Sequence, residues 1–358
     1  MPVPVRTRLI ENRTGAILDY HLSSGIMRAE LDVSCGVDSA VMLVLLARAL
    51  GPDNVTAVYS SINSSDESLR RARKMALVAG TKLIELDLTA AVETVLWRAI
   101  QNGLANANYD LEEIHERCKA DPTIKGSFRS CIRAPVGRYL NRLTGGGIRH
   151  GTGNECEDRW LRYYQKGGDG EVDTNPLAML SKGEVYQMAI GLGVPREIVD
   201  GEPTADLWGK GGPVHTDEDE LAKFLGVKLP EGHTFYSYVD YDTGEYRTVG
   251  LIERVSRFLD TITKPVGKNL DGTLELECAL FAPGLDEDDM RRLVYTAMGS
   301  PLFETYPMDI PGCMELMLAV RRVERITRHK LNPNIPMLGS RAELLRAGLV
   351  SNDLPDMT

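Results

Sequence analysis

A short polar segment at residues 34–39, Ser-Cys-Gly-Val-Asp-Ser, carries the residue types that bind phosphate. It follows a short predicted strand and precedes an apolar run at 40–46, an order that predicts a strand, a tight turn and a helix. Such a turn places backbone N–H groups and the positive end of a helix dipole against an anion. The Ser34 and Ser39 hydroxyls can donate to phosphate oxygens, whereas the Asp38 carboxylate suggests a bridging Mg²⁺. An ordinary strand–helix turn, capped by Ser and Asp, is the alternative interpretation.

The same segment differs from the Walker-type loop, because no Gly-Lys-Ser/Thr ending follows a four-residue spacer. It resembles instead the Ser-Gly-Gly-x-Asp-Ser loop of the ATP pyrophosphatases, which cleave ATP between the α- and β-phosphates. Cys35 stands where those enzymes usually have their first glycine. A positive φ at this position would be strained, because cysteine carries a Cβ atom.

Composition places the chain among ordinary globular proteins, with 358 residues, 43% hydrophobic and 26% charged. Its net charge of −10 argues against a nucleic-acid-binding surface. No apolar run is long enough to span a membrane, so we expect no membrane association. The six cysteines are scattered without a CxxC pair, which argues against structural zinc and suits a reducing, cytoplasmic location.

Strand and helix patterns alternate along the first half of the chain, which predicts βαβ units in a parallel α/β sheet flanked by helices, a Rossmann-like fold. The predicted strands are 28–33, 55–59 and 82–86, and Gly-rich residues 145–154 read as a loop on pattern alone. A helix is predicted at 129–143, with Pro135 near its first turn. A hairpin is predicted around residues 242–244. Further helices are predicted at 7–24, 69–79, 181–192, 217–224, 249–263, 286–298 and 314–330.

Five further segments join the polar loop in one family pattern. Together the six resemble the ammonia-dependent NAD synthetases, over roughly residues 10–225 and again over 315–335. The further segments are 59–66, Gly151-Thr152 to Glu157, Lys166 to Lys182 with its Gly-Asp-Gly and Asn-Pro-Leu, Glu202 to Leu207, and His329-Lys330. The family fold that this resemblance implies, that of the adenine-nucleotide α-hydrolases, would make residues 147–151 a strand.

The resemblance also implies the roles of individual residues. Asp38 and Glu157 would bind Mg²⁺, which prefers hard oxygen ligands together with phosphate. Asp38, Lys182 and Thr204 would be catalytic, with Lys182 neutralising charge on the departing pyrophosphate. ATP would be contacted by Ser34, Gly36, Val37, Ser39, Ser60, Ser61, Arg133, Thr152, Lys182 and Thr204. The dinucleotide would be contacted by Lys166, Asp169, Asp173, His329 and Lys330.

The chemistry implied by the resemblance is formation of an amide in two steps. A carboxylate of deamido-NAD attacks the α-phosphorus of ATP, pyrophosphate leaves, and ammonia then displaces AMP from the acyl-adenylate. Positioning and charge stabilisation suffice for this reaction, so we expect no protein nucleophile. Too few residues precede Ser34 for a glutaminase domain, so ammonia is expected to be free or supplied by another chain. Members of the family are homodimers, which predicts a dimer here.

Three regions are predicted: an ATP pyrophosphatase-like domain at 1–229, an inserted segment at 230–312, and a C-terminal helix and closing tail at 313–358. The identity of the carboxylate substrate is left open, because the insert precedes the His-Lys segment that is expected to close over the substrate. The alternatives are a relative that activates another acid or inserts sulfur, and a degenerate nucleotide-binding protein. Cys35, Cys131 and Cys156 fall in or beside motif segments, and a redox-sensitive or iron–sulfur site is the sharper interpretation of them.

Overall fold

Four parallel strands form the central sheet: β1 (Ala29–Asp32), β2 (Val55–Ser61), β3 (Lys82–Asp87) and β4 (Ile148–Arg149). Their order across the sheet is β3-β2-β1-β4, which confirms the predicted parallel α/β class. The structure is a computed structural model, and it describes residues 1–121, 123–204, 216–229, 234, 236–268, 274–299, 303, 309–331 and 335–353. The Gly-rich stretch at 145–154 contributes strand β4, which is short and lies at the edge of the sheet.

Helices flank this sheet and extend the fold beyond it. They are α1 (Val3–Ser24), α2 (Val37–Leu50), α3 (Asp66–Ala79), α4 (Trp97–Asn106), α5 (Leu111–Ala120), α6 (Thr123–Leu143), α7 (Lys182–Leu192), α8 (Arg196–Val199), α9 (Asp217–Leu225), α10 (Leu251–Thr261), α11 (Glu287–Met298), α12 (Ile310–Thr327) and α13 (Arg341–Arg346). π-Helical turns occupy Ala91–Leu96 and Glu155–Leu161. Two antiparallel hairpins pair β5 (Tyr238–Val239) with β6 (Tyr246–Thr248) and β7 (Thr263–Lys268) with β8 (Leu274–Cys278). Across the described ranges, no helix is both long and apolar enough to cross a membrane.

The apolar run at 40–46 is buried because α2 lies between β1 and the helices α1 and α7. Apolar side chains from these elements form what we call the first core. Its members include Leu9, Leu31, Leu43, Leu46, Val185 and Met188. A helix that is apolar on nearly every side is stable only when it is covered in this way, so burial of α2 fixes the turn at its N-terminus.

A separate apolar cluster, which we call the second core, is formed by side chains from residue 156 onward. It includes Cys156, Trp160, Leu221, Leu225, Val255, Phe258, Leu316 and Val320. The π-helical turn Glu155–Leu161 and α9 thus share one core with α10, which belongs to the predicted insert, and with α12. The predicted boundaries at residues 230 and 312 stay a prediction, but the described part of the insert is packed against its neighbours.

Two details differ from the sequence predictions. Helix α6 begins at Thr123 rather than at 129, because the Asp121 carboxylate accepts from the Thr123 N–H and caps this earlier start. Pro135 therefore lies inside the helix, and its predicted place near the first turn was wrong. The β7–β8 hairpin and α13 were not predicted at all. The flexible candidate at residues 210–213 lies outside the described residues.

Two histidines form a buried pair beside the sheet. The ring of His21 stacks on that of His150, and their Nε2 atoms lie 3.0 Å apart. Nδ1 of His21 lies 2.6 Å from the carbonyl oxygen of Ile26 and must donate to it, so Nε2 of a neutral His21 accepts from His150. Burial, reinforced by repulsion from His21, lowers the pKa of His150 to about 3. Both rings are consequently neutral at physiological pH.

This depressed pKa predicts a specific acid sensitivity. An unfolded histidine titrates near pH 6.5, so the contribution of a neutral His150 is complete above that pH and is lost as the pH falls towards 3. Between pH 7.5 and pH 5 we expect His150→Gln to lose about 2 kcal/mol less unfolding free energy than the unsubstituted protein. Urea unfolding at both pH values measures this difference, with the exposed His115→Gln as control. Identical pH dependence of the His150 variant and the unsubstituted protein would contradict the prediction.

Candidate active site

The turn between β1 and α2 has the geometry of a phosphate-binding loop. Gly36 is the extended residue before α2, and no described side chain caps the N-terminus of this helix. Its first N–H groups are therefore available to an anion. Cys35 has φ of 72°, the left-handed conformation that would suit the glycine usual in ATP pyrophosphatases, and its thiol donates to the Ser68 carbonyl oxygen at 2.8 Å. The Ser34 hydroxyl donates to that of Ser39 at 3.1 Å, so both hydroxyls lie inside the turn.

Lys182 joins this turn to three carboxylates. Its Nζ lies 2.7 Å from Oδ2 of Asp38, 3.2 Å from Oε1 of Glu157 and 3.1 Å from Oδ2 of Asp217. Asp38 belongs to the first turn of α2, Lys182 begins α7, Glu157 lies in the π-helical turn and Asp217 begins α9. Four segments distant in sequence thus place one ammonium and three carboxylates together, which we call the Lys182 cluster.

The charges of this cluster are strongly coupled. Burial alone would lower the pKa of Lys182, but Asp38, Glu157 and Asp217 outweigh it, and the pKa lies well above the ordinary lysine value. Burial raises the pKa of Glu157 to about 7, because repulsion from Asp38 and Asp217 adds to desolvation while Lys182 opposes it. Lys182 therefore keeps its positive charge among these three acidic side chains.

Two members of the site were not among the predicted site residues. Asp217 begins the helix predicted at 217–224, and an acidic residue at a helix start equally indicates capping and dipole stabilisation. Asn154 donates from Nδ2 to Glu157 at 2.7 Å and to Asp38 at 3.2 Å, while its Oδ1 accepts from the Cys156 N–H. The Gly-Thr-Gly-Asn pattern was a signal for Asn154, because Asn is a preferred residue before a helical turn.

Four of the five predicted dinucleotide residues, all except Asp173, gather in a second group. Nζ of Lys166 donates to the His329 carbonyl oxygen at 3.1 Å, and Nζ of Lys330 donates to the Arg162 carbonyl oxygen at 3.0 Å. Asp169 accepts from the Ser130 hydroxyl at 2.7 Å. The C-terminal His-Lys pair is thereby attached to the 162–169 segment.

Asp158 lies between this group and the Lys182 cluster. Burial raises its pKa well above the ordinary value, and both Glu157 and Asp169 add repulsion. The Asp158 carboxylate accepts from Nδ2 of Asn175 at 2.5 Å. The two groups of predicted residues are therefore close enough to interact electrostatically through Asp158.

Other predicted residues have partners outside these two groups. Asp173 is bound by Arg138 at 2.9 Å and accepts from the Arg149 N–H at 2.8 Å, which holds it against β4. Ser60 and Ser61 end β2, and Nε of Arg133 donates to the Ser60 carbonyl oxygen at 3.0 Å.

The two predicted threonines occupy loops. Thr152 is in the loop after β4, between that strand and the π-helical turn Glu155–Leu161. Thr204 is the last residue described before 216, and the rest of its motif, 205–207, lies outside the described residues.

The donor set at the Lys182 cluster fits Mg²⁺. Asp38 and Glu157 both accept from the same Asn154 amide and the same Lys182 ammonium, so they present hard oxygen atoms side by side. Mg²⁺ is commonly held by one or two carboxylates together with substrate phosphates, and does not need a protein cage. Within the described ranges no three His, Cys, Asp or Glu side chains form a cage, so Cys35, Cys131 and Cys156 do not form the alternative iron–sulfur site.

The predicted insert also reaches this site. A small pocket beside the Lys182 cluster is lined on one side by Glu157, Lys182 and Asp217 and on the other by residues that follow 230. These are Tyr236, Ser237, Ile252 and Glu253. The Glu253 carboxylate accepts from the Gly183 N–H at 3.1 Å and so occupies an anion position at the start of α7. The insert therefore borders the site and positions α7.

Fold and site together define the class of the protein. A parallel sheet with an anion-binding turn after its first strand, and with lysine and carboxylates at the same edge, is the arrangement of enzymes with the adenine-nucleotide α-hydrolase fold. The family model described as NAD synthase matches residues 9–227. The chain belongs to the NAD synthase family. It is accordingly an ATP-binding ligase of NAD biosynthesis, which confirms the family predicted from the six segments.

Curated relatives agree with this assignment. The NH(3)-dependent NAD(+) synthetase of Alkaliphilus oremlandii is 33% identical over 218 residues, which are 61% of this chain and 77% of the relative. The NH(3)-dependent NAD(+) synthetase of Trichlorobacter lovleyi is 30% identical over 250 residues, or 69% of this chain and 82% of the relative.

A solved structure supports the fold over almost the whole chain. The NMN synthetase of Francisella tularensis has a TM-score of 0.57 and 19% identity, covering 92% of this chain and 99% of that protein. The glutamine-dependent NAD(+) synthetase of Cytophaga hutchinsonii has a TM-score of 0.55 and 14% identity, covering 97% of this chain and 56% of its own. At these identities the likeness concerns the fold alone.

Proposed function

We propose that this protein converts deamido-NAD and ammonia into NAD, with ATP cleaved to AMP and pyrophosphate through an acyl-adenylate. The observation that supports this proposal best is the Lys182 cluster at the uncapped N-terminus of α2. A fixed ammonium beside an anion-binding turn suits a reaction in which negative charge develops on a departing phosphate group. The curated relatives named NH(3)-dependent NAD(+) synthetases support the choice of acid and amine.

In the first step, an oxygen of the nicotinate carboxylate attacks the α-phosphorus and the bond to the bridging oxygen of pyrophosphate breaks. The α2 N–H groups and the Ser34 and Ser39 hydroxyls would bind phosphate oxygens, while Lys182 stabilises the charge that moves onto pyrophosphate. Asp38 and Glu157 would hold Mg²⁺, which when bound neutralises phosphate charge.

In the second step, ammonia attacks the carbonyl carbon of the acyl-adenylate and the bond to the phosphate oxygen of AMP breaks. The nitrogen loses a proton to solvent, and the products are the amide and AMP. No covalent bond to the protein is required, so the contribution of the chain is positioning. We assign Lys166, Asp169, His329 and Lys330 to the dinucleotide, because they form the second group beside the Lys182 cluster. Asp173 is assigned there as well, although its carboxylate is bound by Arg138.

The proposal is tested by incubating the protein with ATP, Mg²⁺, ammonium and deamido-NAD and separating the products. The expected result is equal amounts of NAD, AMP and pyrophosphate. Nicotinic acid mononucleotide, glutamate and a sulfur donor serve as comparison substrates. ADP and orthophosphate as products, or no turnover with any acid, would contradict the proposal. Turnover with another acid alone would change the proposed substrate and leave the reaction class unchanged.

The ammonia source is part of the same proposal. We assign free ammonia as the direct nitrogen donor, with glutamine active only when a separate glutaminase is added. Parallel assays with ammonium chloride and with glutamine as the nitrogen source distinguish these donors. Turnover with glutamine by the purified chain alone would contradict the assignment. A cytoplasmic location stays a prediction.

A homodimer is also proposed, with its support in the helices at 97–143. Within the described ranges α4 has no buried residue, and apolar side chains just before α4 and along α6 are largely exposed, among them Val95 at 69% and Leu143 at 63%. A second copy of the chain would cover them. Light scattering should give twice the 39.5 kDa chain mass, and Val95→Glu should shift the protein towards one chain. A single-chain mass for the unsubstituted protein would contradict the dimer.

A further inference from the structure

Arg341, the first residue of α13, lies well beyond the segment that the NAD synthase model matches, yet its side chain is only 1% exposed. Ser340 caps this helix, and Leu344 and Val350 anchor the following segment in the first core. A buried guanidinium is costly unless its donors and charge are satisfied. The position of Arg341 therefore points to a specific set of partners.

Those partners are three buried carboxylates. Nη1 and Nη2 of Arg341 bind the two carboxylate oxygens of Glu184 at 3.0 and 3.3 Å, a bidentate pair. Nε donates its hydrogen bond to Oδ1 of Asn352 at 3.0 Å and lies in ion-pair distance of Asp260 at 2.8 Å and Glu155 at 3.5 Å. Arg159 binds Glu155 and Asp260 as well, the latter at 2.7 Å.

Backbone acceptors complete the arrangement. Nη1 donates to the Met179 carbonyl oxygen at 3.0 Å and Nη2 to that of Ser351 at 2.9 Å. Arg341 therefore attaches the C-terminal segment, the loop before α7 and three carboxylates to one another. Such a fork cannot be reproduced by the single ammonium of lysine.

Each carboxylate belongs to an element that carries the active site. Glu184 is the third residue of α7 and part of the capping box that fixes the helix start at Lys182. Glu155 begins the π-helical turn that contains Glu157, and Asp260 lies in α10 of the second core. Arg341 thus binds α7 of the first core together with the π-helical turn Glu155–Leu161 and α10 of the second core. Two of these elements, α7 and the π-helical turn, carry Lys182 and Glu157 of the Lys182 cluster.

We infer that Arg341 is a positioning residue for the ligase reaction, setting the separation of Lys182 and Glu157 through Glu184 and Glu155. The inference rests on the proposed function. Arg341 forms no hydrogen bond or ion pair with Lys182 or Glu157, and it acts by holding the segments from which these two side chains project. Displacement of such a segment by about 1 Å can reduce a rate 100-fold. The C-terminal helix is accordingly part of the catalytic apparatus.

The test compares Arg341→Gln and Arg341→Lys with Arg346→Gln, an exposed arginine on the same helix whose Nε donates only within α13. Circular dichroism identifies a temperature at which every variant is folded. At that temperature, the Mg²⁺ concentration for half-maximal pyrophosphate–ATP exchange should rise about tenfold in Arg341→Gln. The exchange kcat should fall about 30-fold while the KM for deamido-NAD stays within about threefold. Arg341→Lys should lie between, and Arg346→Gln should match the unsubstituted protein.

Nucleotide binding provides a readout that does not depend on turnover. Calorimetric titration with ATP at several Mg²⁺ concentrations should show the same increased Mg²⁺ requirement in Arg341→Gln, and it also counts the binding-competent fraction. A rate loss that merely equals the loss of this fraction, or an unchanged Mg²⁺ requirement, would overturn the inference. If the unsubstituted protein binds ATP but forms no amide, the proposed function fails, whereas the titration still decides the role of Arg341. Should Arg341→Gln not fold, Arg341→Lys carries the same comparison.

Discussion

Replacing Lys182 by methionine should reduce the rate of pyrophosphate release by about 10²–10³-fold, the usual effect of removing one group that stabilises developing negative charge. Methionine keeps an unbranched side chain that is only one atom shorter and carries no charge, so the change mainly removes the ammonium. The same substitution leaves Asp38, Glu157 and Asp217 facing one another without their shared cation. We therefore also expect a loss of about 2 kcal/mol in unfolding free energy, below the 3–5 kcal/mol of a fully buried pair because the cluster is partly accessible.

Pyrophosphate release measured with saturating ATP and deamido-NAD tests the first effect, and urea unfolding at neutral pH tests the second. Lys74→Met is a matched control, because Lys74 is 45% exposed and pairs only at the surface with Glu197. A Lys182→Met protein that retains more than about a tenth of the original rate would remove lysine from the proposed mechanism.

Asp38→Asn should give the second large loss of activity, about 100-fold or more in kcat/KM, with a higher Mg²⁺ requirement. The amide keeps the shape of the side chain but removes the charge that would hold the metal ion. Stability should respond differently from Lys182→Met. Lys182 retains Glu157 and Asp217 as partners, and one source of repulsion between carboxylates disappears.

Unfolding free energy should therefore stay within about 1 kcal/mol of the unsubstituted protein or rise, a loss of function without a loss of stability. Urea unfolding and a Mg²⁺ titration of pyrophosphate release measure the two effects. Asp53→Asn, an exposed carboxylate beyond the other end of α2, is the control. Undiminished activity of Asp38→Asn would exclude Asp38 from metal binding, and a large destabilisation would show that its charge is structural.

Local patterns accounted for the parts of the fold that depend on neighbouring residues. The apolar run at 40–46 after a polar turn predicts α2 because both the helix period and the turn chemistry lie within a few residues. The edge strand β4 was harder, because two residues within a Gly-rich stretch carry no recognisable alternation. Its pairing with β1 depends on a partner more than a hundred residues away.

The site was predictable only in part, for the same reason. Asp38 and Glu157 were identified from the family motifs, but their meeting with Lys182 spans 144 residues between Asp38 and Lys182. Asp217 resembles any acidic residue at a helix start until the fold shows what it faces. Arg341 carries no motif, and only burial among carboxylates distinguishes it from other arginines.

The Lys182 cluster draws its members from both apolar cores. Asp38 and Lys182 stand on helices of the first core, whereas Glu157 and Asp217 stand on segments of the second. Regions with separate cores can open independently, so amide protons of the two halves need not share one protection factor in hydrogen exchange. Local unfolding of the second core alone would separate Glu157 from the turn between β1 and α2 while the sheet remains intact. A ligand that binds residues of both cores should consequently slow hydrogen exchange of amides in both, including amides far from any atom that the ligand contacts.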